Sequence, residues 1–313
     1  MPERDFAADA ANYTETWVRR GAHRIYARTT GPARRDGDGA GPPLVLLHGF
    51  PDNLHLYDRL LPYLRPARQV VTFDFLGWGA SDKPAGYPYT ATNQTGDLDA
   101  VIDQLGLDRV VLVAHDASGP PAIDWALAHP ERVAGLVLLN TYYHLMPRLR
   151  RPPAIALYST PLLRNLARFV MRRADALDRR LYTWQVGRFI RDDEVRAELV
   201  PAFYEQFRPA RPAFWRLNDD LLGAVWSRRR MVPKLRGFPA PVRIVFGAAD
   251  PYLNVRVARQ FHALFPRSEL FLLPTARHYV QVDEPAEVAR VILRCRADPD
   301  WRGMIVGALL PQS

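Results

Sequence analysis

The chain has almost no cysteine, almost no lysine and no long apolar run. Its single cysteine, Cys295, excludes an internal disulfide and suits a reducing compartment; lying in an apolar-periodic segment, it is expected to pack rather than react. No uninterrupted apolar stretch is long enough to span a bilayer. The segment Met1 to Tyr13 is polar and alanine-rich and lacks the charged-then-apolar order of a secretory signal, so the expectation is a cytoplasmic protein. His23, His55, His129, His144 and His262 show no metal-ligand spacing, and no His-Glu-x-x-His motif occurs, so no metal is expected. Gly77 and Gly79 make an incomplete nucleotide fingerprint, and no cofactor is expected. With lysine only at Lys83 and Lys234, the net charge of +9 rests on arginine, clustered at Arg148 to Arg151, Arg172-Arg173, Arg179-Arg180 and Arg228 to Arg230. No aromatic-interleaved motif accompanies these clusters. They read as a solvated basic face, with neither nucleic acid nor membrane expected as a partner.

What is present is the composition of an ordinary globular protein. An apolar content of 48% over 313 residues is enough to bury a sizeable core. Two β-like segments, Thr14 to Arg20 and Ala22 to Thr29, precede a Gly/Pro/Asp-rich loop over Gly31 to Gly41. Apolar runs at Leu44–Leu47, Val70–Phe73, Val110–Val113 and Val133–Leu139 then alternate with amphipathic stretches at Leu54–Leu64, Asn93–Leu105 and Pro120–Ala128. Fully apolar strands separated by helices predict a parallel sheet covered on both faces. The alternation stops from about Thr141 to Phe238, where only helical patterns occur; Leu163, Leu166, Val170, Ala174 and Leu177 mark one helical face there. It resumes at Val242–Phe246 and Leu270–Leu273 and closes with a helix over Pro285–Arg294. The expected organisation is an α/β core of residues 1–140 and 237–313 with a helical cap inserted over 141–236. The partly apolar tail, Trp301 to Ser313, carries no prediction beyond packing on the core or on a partner.

The run Val110 to Ala114, followed by His115-Asp116-Ala117-Ser118-Gly119, reads as a buried strand, a sharp turn and a helix. Small residues at Ala114 and Ser118 flank an apex occupied by Asp116, the setting of a nucleophile elbow with aspartate in place of serine. A serine attacking a saturated carbon leaves an ether that is hard to clear. A carboxylate leaves an ester that water cleaves at its carbonyl. Aspartate at the apex therefore points to displacement at an sp3 carbon.

With His48-Gly49-Phe50-Pro51 and Asp74-Phe75-Leu76-Gly77-Trp78-Gly79-Ala80-Ser81-Asp82-Lys83-Pro84, the chain resembles the α/β-hydrolase superfamily, in its epoxide hydrolase and haloalkane dehalogenase branch. The resemblance covers almost the whole chain and implies an α/β-hydrolase fold with a helical cap. Phe246-Gly247-Ala248-Ala249-Asp250-Pro251 resembles the segment holding the triad acid, which implies Asp250. Thr275-Ala276-Arg277-His278-Tyr279-Val280 resembles the catalytic-histidine loop, which implies His278. The backbone N–H groups of Phe50 and Ala117 are implied as the oxyanion hole. Where dehalogenases of this branch place a tryptophan and an asparagine to hold the halide, this chain has Ala117 and Phe50; where fluoroacetate-type relatives place arginines, it has Ala117 and Pro120. The expected activity is thus epoxide hydrolysis of a small hydrophobic or aromatic substrate, with Tyr158 as the ring-opening acid and Trp184, Tyr204 and Trp215 lining the pocket. Tyr142, Tyr143 and Tyr182 are further candidate acids, and Asp219 or Asp220 could serve if buried and protonated. Two alternatives stand beside it: a haloalkane or haloacid dehalogenase with the same nucleophile, its halide held by Trp184 or Trp215, and a ligand-binding protein without turnover. A monomer or homodimer is expected.

Overall fold

The computed structural model describes residues 13–32, 41–146 and 149–294; the expectations for the segment before Tyr13, for Cys295 and for the tail Trp301–Ser313 concern residues outside these. Strands β1 (Tyr13–Arg20) and β2 (His23–Thr30) form a hairpin, turned at Gly21, whose positive φ of 62° suits glycine. There follow β3 (Leu44–Leu47), α1 (Leu61–Leu64), β4 (Val70–Phe73), α2 (Ala91–Gln104), β5 (Val110–Asp116), α3 (Gly119–Ala128) and β6 (Val133–Thr141). Before the next strand the described residues form helices and no strand: α4 (Pro153–Ser159), α5 (Pro161–Arg173), α6 (Asp175–Gly187), α7 (Asp193–Asp219), α8 (Leu221–Ser227) and α9 (Val232–Leu235). The core resumes with β7 (Val242–Gly247), α10 (Val255–His262), β8 (Ser268–Leu273), α11 (Val280–Asp283) and α12 (Pro285–Leu293).

The eight strands form one sheet in the order β1-β2-β4-β3-β5-β6-β7-β8. β2 pairs antiparallel with β1 and β4, and every other pairing is parallel. Side chains alternate across it. Val45, Leu47, Leu112 and Ala114 face a core shared with Leu98, Ile123 and Phe261 from α2, α3 and α10. Leu44, Leu46, Val111 and Val113 face the other side, against Leu64, Val280, Val288 and Ile292 from α1, α11 and α12. Because both faces are buried, each central strand is apolar at every position, and that continuity is what marks it in the sequence.

The helical face marked by Leu163, Leu166 and Leu177 points to solvent, not into the core. The stretch is two helices, since the chain turns at Ala174 between α5 and α6. α5 packs inward through Ala167 and Met171. Periodicity gave a stripe without saying which way it points.

Candidate active site

The parallel strands all end on one edge of the sheet, where ligands of open α/β sheets bind. Asp116 ends β5 with φ of 48°, a left-handed conformation that non-glycine residues rarely adopt. Neighbours hold it there. Thr141 Oγ1 donates to the Asp116 carbonyl, and Ser118 Oγ bridges β5 to β3 by bonding the carbonyls of His115 and Leu47, each at 2.8 Å. Gly49 passes so close that an added Cβ would lie 2.7 Å from that of Asp116. The backbone N–H groups of Phe50 and Ala117 both donate to the Asp116 carboxylate. Burial raises this carboxyl; the charge of His278 and those two N–H groups oppose it, and the balance falls at about 6.

Asp250 lies in the loop after β7, and its Oδ2 is 2.7 Å from His278 Nδ1. Its Oδ1 accepts the N–H groups of Tyr252 and Leu253 at 2.8 and 3.1 Å. Burial pushes the Asp250 carboxyl up, but His278, the Tyr252 N–H and the Asn140 amide outweigh this and hold it below the usual carboxylate range. His278 is buried, which alone would lower it; the charges of Asp250, Asp116 and Asp52 lift it to about 9. Its other nitrogen, Nε2, faces Asp116 Oδ1 at 3.8 Å, beyond direct hydrogen bonding. The ring of Phe189 from the helical segment lies 4.7 Å from the imidazole, and the Tyr279 N–H donates to the Phe189 carbonyl at 3.1 Å.

A cavity of about 170 Å³ opens onto these groups. Asp116 and His278 line it together with Phe50, Leu145, Ile155, Phe189, Leu221, Val225 and Leu253, and Arg150 and Arg151 also belong to its lining. Tyr142, directly after β6, also lines it; its hydroxyl bonds to no described residue and is raised strongly by burial and then by the nearby charge of Asp116. Gln185 lines it too, its Oε1 accepting the Ala154 N–H at 2.8 Å. Among the described residues no group of three His, Cys, Asp or Glu side chains could hold a metal ion.

The four residues expected from the helical segment lie elsewhere. Tyr158 is buried against Phe214 and Trp215 with its hydroxyl pushed to about 12 by burial, and it does not line the cavity. Tyr204 turns its hydroxyl to Asp178 Oδ2 at 3.2 Å, Trp184 is exposed beside Arg188, and Trp215 lies under Arg172. Asp219 is paired with Arg168 at 2.7 Å and Arg164 at 3.1 Å and does not line the cavity. The physical reason is common to all: helical spacing does not report which side of a helix meets the core.

Two further residues stand close to the site. Asn140, at φ of 32°, donates through Nδ2 to Asp250 Oδ2 at 2.7 Å and accepts the Gly247 N–H at 2.9 Å, so its amide ties Asp250 to the end of β7. Asp52, next to the His48–Pro51 loop, accepts the Tyr279 hydroxyl and is raised by burial to about 7. Neither has a spacing signal; only the adjacency of each to a motif hinted at it.

Residues 42–285 match the family model described as the alpha/beta hydrolase fold. The chain belongs to the α/β-hydrolase family. This hydrolase is 29% identical over 263 residues to haloalkane dehalogenase 2 of Mycobacterium tuberculosis (strain ATCC 25618 / H37Rv), across 82% of this chain and 88% of that one. It is 41% identical over 106 residues to fluoroacetate dehalogenase of Burkholderia sp, across 33% and 35% of the two chains. The solved structure of Cfl2 wild-type from Burkholderia cenocepacia has the same fold, with a TM-score of 0.74 at 20% identity over 90% of this α/β-hydrolase and 95% of that chain.

Proposed function

We propose that this α/β-hydrolase opens hydrophobic epoxides to diols through a covalent ester on Asp116, beneath a cap formed by the helical segment. The observation that carries the reading is a carboxylate at the elbow, held by the N–H groups of Phe50 and Ala117, with the His278–Asp250 pair beside it. Asp116 attacks a ring carbon, the carbon–oxygen bond breaks, and Tyr142, in place of Tyr158, gives its proton to the leaving oxygen. Esterification removes the Asp116 charge, one of the causes that raise both Tyr142 and His278. Tyr142 becomes a better acid as the ring opens, and His278 a better neutral base for the second step. His278 then takes a proton from water, which attacks the ester carbonyl; the oxyanion is held by Phe50 and Ala117. Collapse releases the diol, with the proton on His278 going to the departing alkoxide, and leaves Asp116 as a carboxylic acid whose proton passes through water to the Tyr142 phenolate, which restores both groups.

The competing reading is dehalogenation, favoured by the mycobacterial relative and by the Gln185 amide in the cavity lining. Against it, neither Trp184 nor Trp215 lines the cavity, and the positions after the nucleophile and in the oxyanion loop are Ala117 and Phe50. The deciding experiment is brief turnover in H₂¹⁸O with mass spectrometry of the Asp116 peptide, run with an epoxide and a chloroalkane panel. Label in the carboxylate with diol formed supports the proposal. Unlabelled peptide after confirmed turnover rejects the ester, and halide release without diol assigns the site to the dehalogenases.

Two further expectations arise from the cavity. Tyr142→Phe should slow ester formation by about 10²-fold or more, the usual contribution of a general acid, whereas Tyr158→Phe should leave it within about twofold; rapid-quench measurement of the adduct separates them. Ester formation also needs Asp116 ionised. Its rate should fall about tenfold per pH unit below about 6, where the buried carboxyl takes up a proton; a rate unchanged through that range would contradict the assignment.

A further inference from the structure

The exposed face of α5 (Pro161–Arg173) carries four large apolar side chains. Leu162 is 91% exposed, Leu166 64%, Phe169 55% and Leu163 49%. At helical spacing these four form one stripe, beside the inward-facing Ala167 and Met171. A contiguous apolar strip of this kind marks a contact surface rather than chance exposure. The helix has no acidic residue, and its basic residues are Arg164, Arg168, Arg172 and Arg173.

We infer that α5 is an interfacial helix that seats the protein on an anionic lipid surface. The nearby carboxylates are already occupied. Asp219 pairs with Arg164 and Arg168, Asp175 and Asp178 with Arg211, and Glu205 with Arg179. That leaves Arg172 and Arg173, and Arg180 on α6, with no carboxylate partner among the described residues. Arg173 stacks on Phe169, its guanidinium carbon 3.8 Å from the ring centroid, so charge and apolar contact stand side by side. An apolar stripe with arginines along its edge fits a headgroup layer, where leucine and phenylalanine enter the acyl boundary and guanidinium groups meet phosphates. Among the described residues no helix is long and apolar enough to cross a membrane, so the contact is peripheral.

A second copy fits this face less well. Parallel pairing along the stripe would bring Arg172 and Arg173 against their own copies. Antiparallel pairing would lay them against the partner helix's N-terminus, itself electropositive. The lipid seat also departs from the absence of a membrane partner expected from the arginine clusters alone, because the exposure of the intervening leucines is invisible in the sequence. α4, joined to α5 at Thr160, carries Ile155 in the cavity wall, so the lipid would lie within one helix of the site. The seat does not depend on the chemistry at Asp116.

Co-sedimentation of the full chain with phosphatidylcholine vesicles, with and without phosphatidylglycerol, tests it. Binding should require phosphatidylglycerol and weaken with added salt. The variant Leu162→Ser/Leu166→Ser/Phe169→Ser, altered only at exposed positions, should bind at least about tenfold more weakly with an unchanged melting temperature. Arg172→Gln and Arg173→Gln should each cost about fivefold at low salt. The inference is overturned if wild type ignores the anionic vesicles or if the triple variant binds as well as wild type. It is also overturned if light scattering shows a wild-type dimer that the triple variant breaks to monomers.

Discussion

Replacing Asp116 by asparagine is expected to cut turnover by at least about 10⁴-fold while leaving the protein as stable as wild type or more so. The loss follows from chemistry: a neutral amide is a poor nucleophile at carbon, and no other carboxylate lines the cavity among the described residues. The stability follows from what the site costs. Asp116 is buried, and its carboxyl is raised from 3.8 to about 6, so the folded state holds a proton there that the unfolded chain has released. Stability from this group is therefore full at low pH and lost as pH rises through that interval. Asparagine keeps the shape, tolerates the φ of 48° and removes the charge, so at neutral pH the variant should melt no lower than wild type and gain most above pH 6. Product assays and thermal melts at two pH values check both parts. Residual activity above about 1% of wild type would remove Asp116 from the nucleophile role.

The residues brought together at the strand ends were legible for a physical reason. A strand buried on both faces, such as Leu44–Leu47 or Val110–Val113, writes its burial at every position, and the turn after it needs residues of defined size. Gly49 and Ser118 meet that need: one lets the backbone pass Asp116, and the other stitches β5 to β3. Motif and geometry coincide there because close packing leaves few alternatives. The helical segment has no such constraint. Tyr158, Tyr204 and Trp215 are buried as their aromatic character suggests, but they are buried against other helices, and nothing in a 3.6-residue period distinguishes that neighbour from a cavity. Tyr142 is the reverse case. It follows a strand and belongs to no helical pattern, so its place in the cavity comes from where β6 ends. Asn140 shows the limit most clearly, since its amide reaches a residue 110 positions away.

Replacing His278 by glutamine should separate the two steps that Asp116 joins. Without the imidazole there is no base 3.8 Å from the carboxylate to activate water, so ester hydrolysis should fall by about 10⁴-fold, while ester formation, which does not use the base, continues. The covalent adduct then accumulates. The charge of His278 is also the largest influence opposing burial at Asp116, so removing it lets the carboxyl hold its proton to higher pH. Alkylation by the variant should accordingly be slow near neutrality and recover on the alkaline side, the direction in which Asp116 ionises. Intact-protein mass spectrometry reads the outcome and also distinguishes the leaving group. An epoxide adds its whole mass to the chain, because the opened oxygen stays on the adduct, whereas a haloalkane adds its mass less that of the hydrogen halide. An alkaline-side variant that forms no adduct, or that still turns over within tenfold of wild type, would show that His278 does not act on an ester at Asp116.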